Sequence, residues 1–300
     1  MKAAGKWVDP FDDMSRPPFD LSSVGIDTRW LDVSLSDRRL LLVVAHPDDE
    51  SFSNPGTIAR YAASGVTVHC VCATRGELGT IEPELLRGHA GVSELRTSEL
   101  LCAADALGMA AIHFLGYRDS GMEGEPENLA AGSLHQAALE DVTRKIVTTM
   151  RVYRPHVVIT FAPSGGYRHP DHVKINQATL PAFEAAELGP GKLYYLAGSV
   201  TALRIAIAAM RLLRRDPRKF GRNKDVDLVR MLDEATPTTT VIDVSAFLQP
   251  KIRAARCHRS QTPSLPPGPI MRIMGRTERF ARVVPPWRSG ESETDLFSSI

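Results

Sequence analysis

The sequence predicts an α/β fold: a mostly parallel sheet with helices on both faces. Three observations carry this. From residue 38 onward, short apolar or β-branched runs alternate with longer segments of helical periodicity. Two of those segments stop at a glycine, Gly65 and Gly108, as helices that end in a left-handed cap do. Charged clusters at 46–50, 74–77, 117–119 and 163–172 each follow a predicted strand. Strand–helix alternation implies parallel strands joined by crossover helices. Such sheets bind ligands at the carboxyl ends of their strands, so four separate stretches should meet on one edge.

Taken in order, residues 1–36 are rich in Pro, Asp and Ser without a clear period, and read as an irregular N-terminal arm. Residues 37–300 read as one domain. "RRLLLVVAH" (38–46) is a buried strand, "GTIARYAASG" (56–65) a helix, and "VTVHCVCAT" (66–74) a β-branched strand. "SELRTSELLCAADALG" (93–108) has 3.6-residue apolar spacing, and "AIHFLGY" (111–117) is a third strand. "LHQAALEDVTRKIVTTMRVY" (134–153) is a long helix, "HVVITFAP" (156–163) a strand, and "PDHVKINQATLPAFEAAE" (170–187) the helix after it. "LYYLAGSV" and "TTVIDVS" read as further strands. A basic helical insertion lies near 201–235, where "ALRIAIAAMRLLRRDPRKFGRNK" starts apolar and ends cationic. A surface helix with solvated arginines is the favoured reading of it, and a helix at a membrane surface the alternative. From 262 on, Pro- and Arg-rich sequence predicts loop plus short elements.

The 300 residues carry 24% charged and 43% hydrophobic side chains, with a formal net charge of +1. This is ordinary globular composition, and it indicates no nucleic-acid partner. Cys70, Cys72, Cys102 and Cys257 form no C-x2-C pair and read as small buried apolar residues. A reducing, cytoplasmic location fits. The first twenty residues lack a basic patch followed by an apolar run, so no signal peptide is expected. No stretch reaches the length of a membrane-spanning helix.

The chemistry concentrates in "AHPDDE" (45–50) and "GGYRHPDHV" (165–173). His46 and Asp49 are three residues apart, as are His169 and His172, each pair at a strand exit. Histidine and carboxylate are good zinc ligands, and three of them with an open position mark a catalytic site. Helix capping by Asp is the competing reading. Two H-P-D copies in matching contexts favour metal, because capping would not require three histidines. A zinc ion would acidify a water for attack on a carbonyl. Asp48, beside the ligands, is the candidate proton acceptor. Of His169 and His172, one would be a ligand and the other a donor to the oxyanion; spacing leaves open which. Asp171 could orient the donor.

These residues, with "TRGELG", "ELRTSEL" and "YRDSGM", resemble the LmbE-like zinc-dependent N-deacetylases, a Rossmann-like family. It includes the N-acetylglucosaminyl-phosphatidylinositol (PIG-L) de-N-acetylases and the mycothiol-pathway deacetylase and amidase. The likeness runs from about 38 to 188, with a weaker echo at "ARCHRSQ" (255–261). It implies His46, Asp49 and His172 as zinc ligands, Asp48 as base, and His169, backed by Asp171, as the group polarising the amide. It implies substrate contacts from Arg96 and Asp119, a mobile Tyr167 over the reacting centre, and Glu77 lining the pocket. The mycothiol deacetylase pattern has an acidic residue where Thr80 stands.

The expected activity is hydrolysis of an N-acyl group, an acetyl by preference, from an amino sugar or sugar conjugate by a zinc-bound water. The alternatives are an amidase acting on a larger acyl or thiol conjugate, and a glycolipid de-N-acetylase at a membrane surface. Fe2+ is the alternative metal, since two histidines and a carboxylate accept both.

Overall fold

The computed structural model describes residues 37–221, 223–261, 275–288, 291 and 293–300. The N-terminal arm expected over 1–36 lies outside the described residues, as do residues 262–274 of the stretch expected to hold loop plus short elements.

A seven-stranded sheet organises the chain, in the order β3-β2-β1-β4-β5-β7-β6. β1 (Arg39–Val44), β2 (Thr67–Cys72), β3 (Ala111–Phe114), β4 (Val157–Thr160) and β5 (Lys192–Ala197) are parallel. β7 (Thr277–Val284) pairs antiparallel with both β5 and β6 (Thr240–Asp243). Central β1 is apolar throughout because both of its faces are covered: Leu40 to Val44 are fully buried. On one face α2 (Pro55–Ala63), α3 (Val92–Leu107) and α9 (Leu248–Cys257) pack together. On the other, α4 (Leu139–Tyr153) packs against α6 (Pro170–Ala186). Strand order reverses between β1 and β4. Chain connections diverge there and open a crevice at the carboxyl edge. Both H-P-D segments leave strands at that point.

Three expectations need correction. The chain after 262 contains β7, eight residues long and inserted between β5 and β6. Its buried Glu278 accepts hydrogen bonds from the Gly56 and Thr57 N–H groups and from the Lys251 ammonium. These partners stabilise a strand that carries Glu and two Arg among its strand-favouring Thr, Phe and Val. The α4 helix begins at Leu139 and not at 134, because the preceding residues bind the 117–122 loop. Leu134 N–H donates to Arg118 O and His135 N–H to Ser120 Oγ.

The cysteines are the third. Cys70 and Cys72 are free and buried, but Cys102 and Cys257 form a disulfide joining α3 to α9. Cysteine usage therefore gives no support to a reducing compartment, where disulfides are rare. The segment near 201–235 holds two helices, α7 at Val200–Leu212 and α8 at Leu228–Asp233. Among the described residues no helix is long and apolar enough to cross a membrane.

His69, on β2, stacks on Tyr153 at 4.0 Å. Burial, helped by the Arg39 charge, pushes its pKa down from 6.5 to about 4. The unfolded chain therefore binds a proton below pH 6.5 that the folded chain refuses until about pH 4. This contribution is complete above pH 6.5 and is lost as pH falls through that window. His69→Phe, which keeps the stacking, should lose stability less steeply than the native chain across it, as read by urea midpoints. Parallel slopes would refute the assignment.

Candidate active site

Asp49 opens the short helix α1 (Asp49–Phe52) directly after β1. Its Oδ2 accepts the N–H groups of Ala45 (3.1 Å) and His46 (2.7 Å), so the carboxylate closes the turn that ends the strand. Its Oδ1 is thereby aimed at His172 Nε2, 3.3 Å away. His172 lies in the first turn of α6, with Nδ1 3.0 Å from the Gly165 carbonyl. A carbonyl only accepts, so Nδ1 carries the proton and Nε2 presents a lone pair. Gly165, at φ +64°, is required here: a Cβ would stand 2.8 Å from His172 Cβ. His46 follows the same logic. Its Nε2 meets Asp171 Oδ2 at 3.1 Å, which leaves Nδ1 facing His172 Nε2 at 3.2 Å.

Three acceptor atoms thus converge on one point, each held by a hydrogen bond elsewhere on its own group. Around a tetrahedral ion with bonds of about 2.0–2.1 Å, neighbouring ligand atoms lie about 3.3–3.4 Å apart. His46 Nδ1 lies 3.2 Å from His172 Nε2, which lies 3.3 Å from Asp49 Oδ1, while the other Asp49 oxygen, Oδ2, is 3.8 Å from His46 Nδ1. The donor set therefore fits a small divalent cation. With a proton in its place, burial lowers the His46 pKa, but Asp119, Asp171 and Asp49 outweigh this and raise it well above normal. Burial likewise opposes ionisation of Asp49, and His172 and His46 outweigh it, holding that carboxyl far below its usual range.

Asp48 stands at the N-terminus of α1 but makes no capping hydrogen bond, so the capping reading fails there. Its backbone takes φ 129°, a conformation that L-residues rarely adopt. Arg96, buried on α3, holds its carboxylate: Nη2 is 3.1 Å from Asp48 Oδ1 and also donates to Pro47 O, while Nη1 donates to Gly76 O. Gly76 (φ +64°) must be glycine, because a Cβ would lie 1.9 Å from Arg96 Nη1. Arg96, the residue expected to contact the sugar, turns its guanidinium toward Asp48, Pro47 and Gly76. Burial pushes the Asp48 pKa up to about 6 against the pull of Arg96. The side chain keeps 20% exposure, so it faces the crevice and remains reachable.

His169 is buried beside both other histidines, with ring centroids 4.4 Å from His46 and 5.1 Å from His172. Burial, reinforced by those neighbours, lowers its pKa well below normal. Asp171 does not back it. The Asp171 N–H donates to His169 Nδ1, but its carboxylate meets His46 and accepts from Ser120 N–H and Oγ. Asp171 is thus the carboxylate that orients His46, the kind of partner that metal-ligating histidines commonly have. Asp119 Oδ1 lies 3.6 Å from His46 Nε2 and accepts the Gly121 N–H, and Glu77 accepts the Asp119 N–H. His46, His169 and His172 form one close donor group and His46, Asp119, His169 and Asp171 another, whose carboxylates orient His46. Tyr167 leans over the site, its ring centroid 5.0 Å from His172.

Sequence reasoning missed the support behind Asp48. Glu50, fully buried, accepts the Asp48 N–H with Oε2 (3.0 Å) and meets His258 Nε2 with Oε1 (2.6 Å). Burial lowers the His258 pKa, but Glu50 outweighs it and raises it. Glu99 anchors the adjacent Ser260 through N–H and Oγ, and the Cys102–Cys257 disulfide pins the same two helices. The signal was the "ARCHRSQ" segment, which follows no strand and so carried no position. Glu50→Ala should lower unfolding free energy by about 3 kcal/mol, since it removes the carboxylate that meets a buried histidine. Glu50→Gln, which can serve both partners, should cost clearly less. Equal losses in denaturant titrations would contradict the account.

Residues 41–183 match the model of the PIG-L family, described as GlcNAc-PI de-N-acetylase. Curated relatives include the 1D-myo-inositol 2-acetamido-2-deoxy-alpha-D-glucopyranoside deacetylases of Acidothermus cellulolyticus and Streptomyces avermitilis. The first is 42% identical, over 75% of this chain and 80% of its own length. The second is 36% identical, over 89% of this chain and 98% of its own. Among solved structures, the conserved protein TT1542 from Thermus thermophilus aligns at TM-score 0.53 and 22% identity, covering 84% of this chain and 98% of that one. The 4-carboxy-2-hydroxymuconate hydratase GalB of Pseudomonas putida aligns at 0.53 and 18%, covering 85% and 100%, so these two likenesses speak to fold alone. With identity at this level over most of its length, and with the H-P-D segments brought together at one strand edge, the chain belongs to the PIG-L family of LmbE-like deacetylases.

Proposed function

We propose that the protein hydrolyses the N-acetyl group of an amino sugar, with the glucosaminyl-inositol glycoside named for its curated relatives as the first candidate substrate. The observation that carries this reading is the convergence of His46 Nδ1, His172 Nε2 and Asp49 Oδ1 beside a carboxylate, Asp48, that is committed to none of them. His46, Asp49 and His172 would hold the cation. Their two nitrogens and one oxygen suit Zn2+, and Fe2+ second. When bound, such an ion acidifies water and polarises a carbonyl.

The chain's own groups supply the rest. Asp48 takes up a proton on its free oxygen, while Arg96 and the Glu50 contact hold its carboxylate and backbone in place. His169 faces the position of the amide oxygen and hydrogen-bonds it as negative charge develops, which is where a fixed donor is most effective. Asp171 keeps His46 in one tautomer. Asp119 and Glu77 offer carboxylate acceptors to sugar hydroxyls at the mouth, and Tyr167 covers the crevice against water. Thr80 is exposed, so its departure from the mycothiol deacetylase pattern alters the rim and not the catalytic cluster.

The test is release of free amine and acetate from N-acetylglucosaminyl-inositol and from simpler N-acetylated sugars. Asp48→Ala should retain its divalent metal and lose turnover by roughly 10²–10⁴-fold, the usual contribution of a positioned base. Full activity in that variant would sink the base assignment, and a native protein that binds no divalent metal would sink the whole reading. Release of a larger acid in place of acetate would identify an amidase at the same site.

A further inference from the structure

We infer that the α7–α8 segment is a docking surface for an anionic lipid bilayer. Residues 204–224 hold eight cations and one carboxylate, in a chain whose total formal charge is +1. The segment therefore carries a net charge of +7 and the rest of the chain −6. A merely solvated surface helix would show mixed charge and few apolar side chains. Here four of the eight large apolar side chains exposed among the described residues lie on the same segment: Ile205 at 63%, Leu212 at 85%, Leu213 at 67% and Phe220 at 48%.

The geometry explains why. α7 is apolar nearly all round, with Arg204 and Arg211 as its cations. One side, with Leu203, Ala206 and Ile207, turns inward over a groove that α8 helps to line. The other presents Ile205, Ala208, Ala209 and Leu212 at helical spacing, all exposed. Arg204 and Arg211 line one edge of this stripe and Arg214 and Arg215 follow its C-terminal end, and none forms an ion pair with another described residue. An exposed apolar stripe rimmed by unpaired cations matches the boundary between anionic headgroups and acyl chains. A second copy of the chain fits poorly, because a twofold contact would face this positive segment against itself.

The surface sits beside the catalytic mouth. Glu234, just past α8, accepts from Arg168, the residue before His169, and Arg230 on α8 approaches Glu123 in the loop after Asp119. The test is flotation of the full chain with phosphatidylglycerol-containing vesicles against pure phosphatidylcholine vesicles, at low and high salt. Native protein should float with the anionic vesicles alone. Arg211→Glu/Arg214→Glu/Arg215→Glu should bind at least about tenfold more weakly, at unchanged melting temperature. Leu212→Ser/Leu213→Ser should still bind at low salt and be released fully at high salt. Failure of the native protein to float at low salt would overturn the proposal, as would undiminished binding by the charge-reversed variant. Conversion of an oligomer to monomer by Leu212→Ser/Leu213→Ser, without vesicle binding by the native chain, would reassign the face to self-association.

Discussion

Everything at the crevice answers to one constraint: three lone-pair atoms from two separate strand exits are forced to share a point. His46 Nδ1, His172 Nε2 and Asp49 Oδ1 are mutually repulsive acceptors in a buried setting. A buried acceptor without a partner costs about 1–3 kcal/mol, so a proton or a cation placed between these atoms relieves their repulsion. The surrounding hydrogen bonds exist to prevent escape. Asp49 is tied to the end of β1, His172 to the Gly165 carbonyl and His46 to Asp171.

The same economy governs the residue between the ligands. Asp48 must stand next to Asp49 without joining it, and the chain achieves this by an unfavourable backbone conformation. That conformation is over-determined from three directions: Arg96 on the carboxylate, Glu50 on the N–H, and His258 behind Glu50. Residues from α1, α3 and the end of α9 therefore converge to hold one side chain. The disulfide between α3 and α9 lies behind that convergence. The fold itself is neutral on chemistry. A hydratase aligns with it as well as TT1542 does, and a fold hosts whatever reaction its grafted side chains support.

Much of this was legible from residue order. Apolar β1 running into His46 marked both a buried strand and the edge where a polar site had to begin. The repeated H-P-D at a second strand exit indicated a shared site, because parallel sheets gather strand ends on one side. What escaped had a common cause. β7 carries Glu and two Arg and is stabilised by Gly56, Thr57 and Lys251, which are distant in sequence. Cys102 and Cys257 are 155 residues apart, and no spacing rule joins them. Asp171 took another partner than expected: its place behind His169 suggested that histidine, while the turn geometry sent its carboxylate to His46.

The sequence by itself determined which residue types are available at each strand exit, and hence the α/β architecture, the candidate ligands and the candidate base. Those depend on local pattern, which residue order records. Tertiary structure alone decided which carboxylate orients which histidine, that Arg96 serves Asp48, and that α7 leaves an apolar stripe uncovered between cations. Those depend on side-chain direction and on packing between elements far apart in the chain, and neither is encoded in spacing along it.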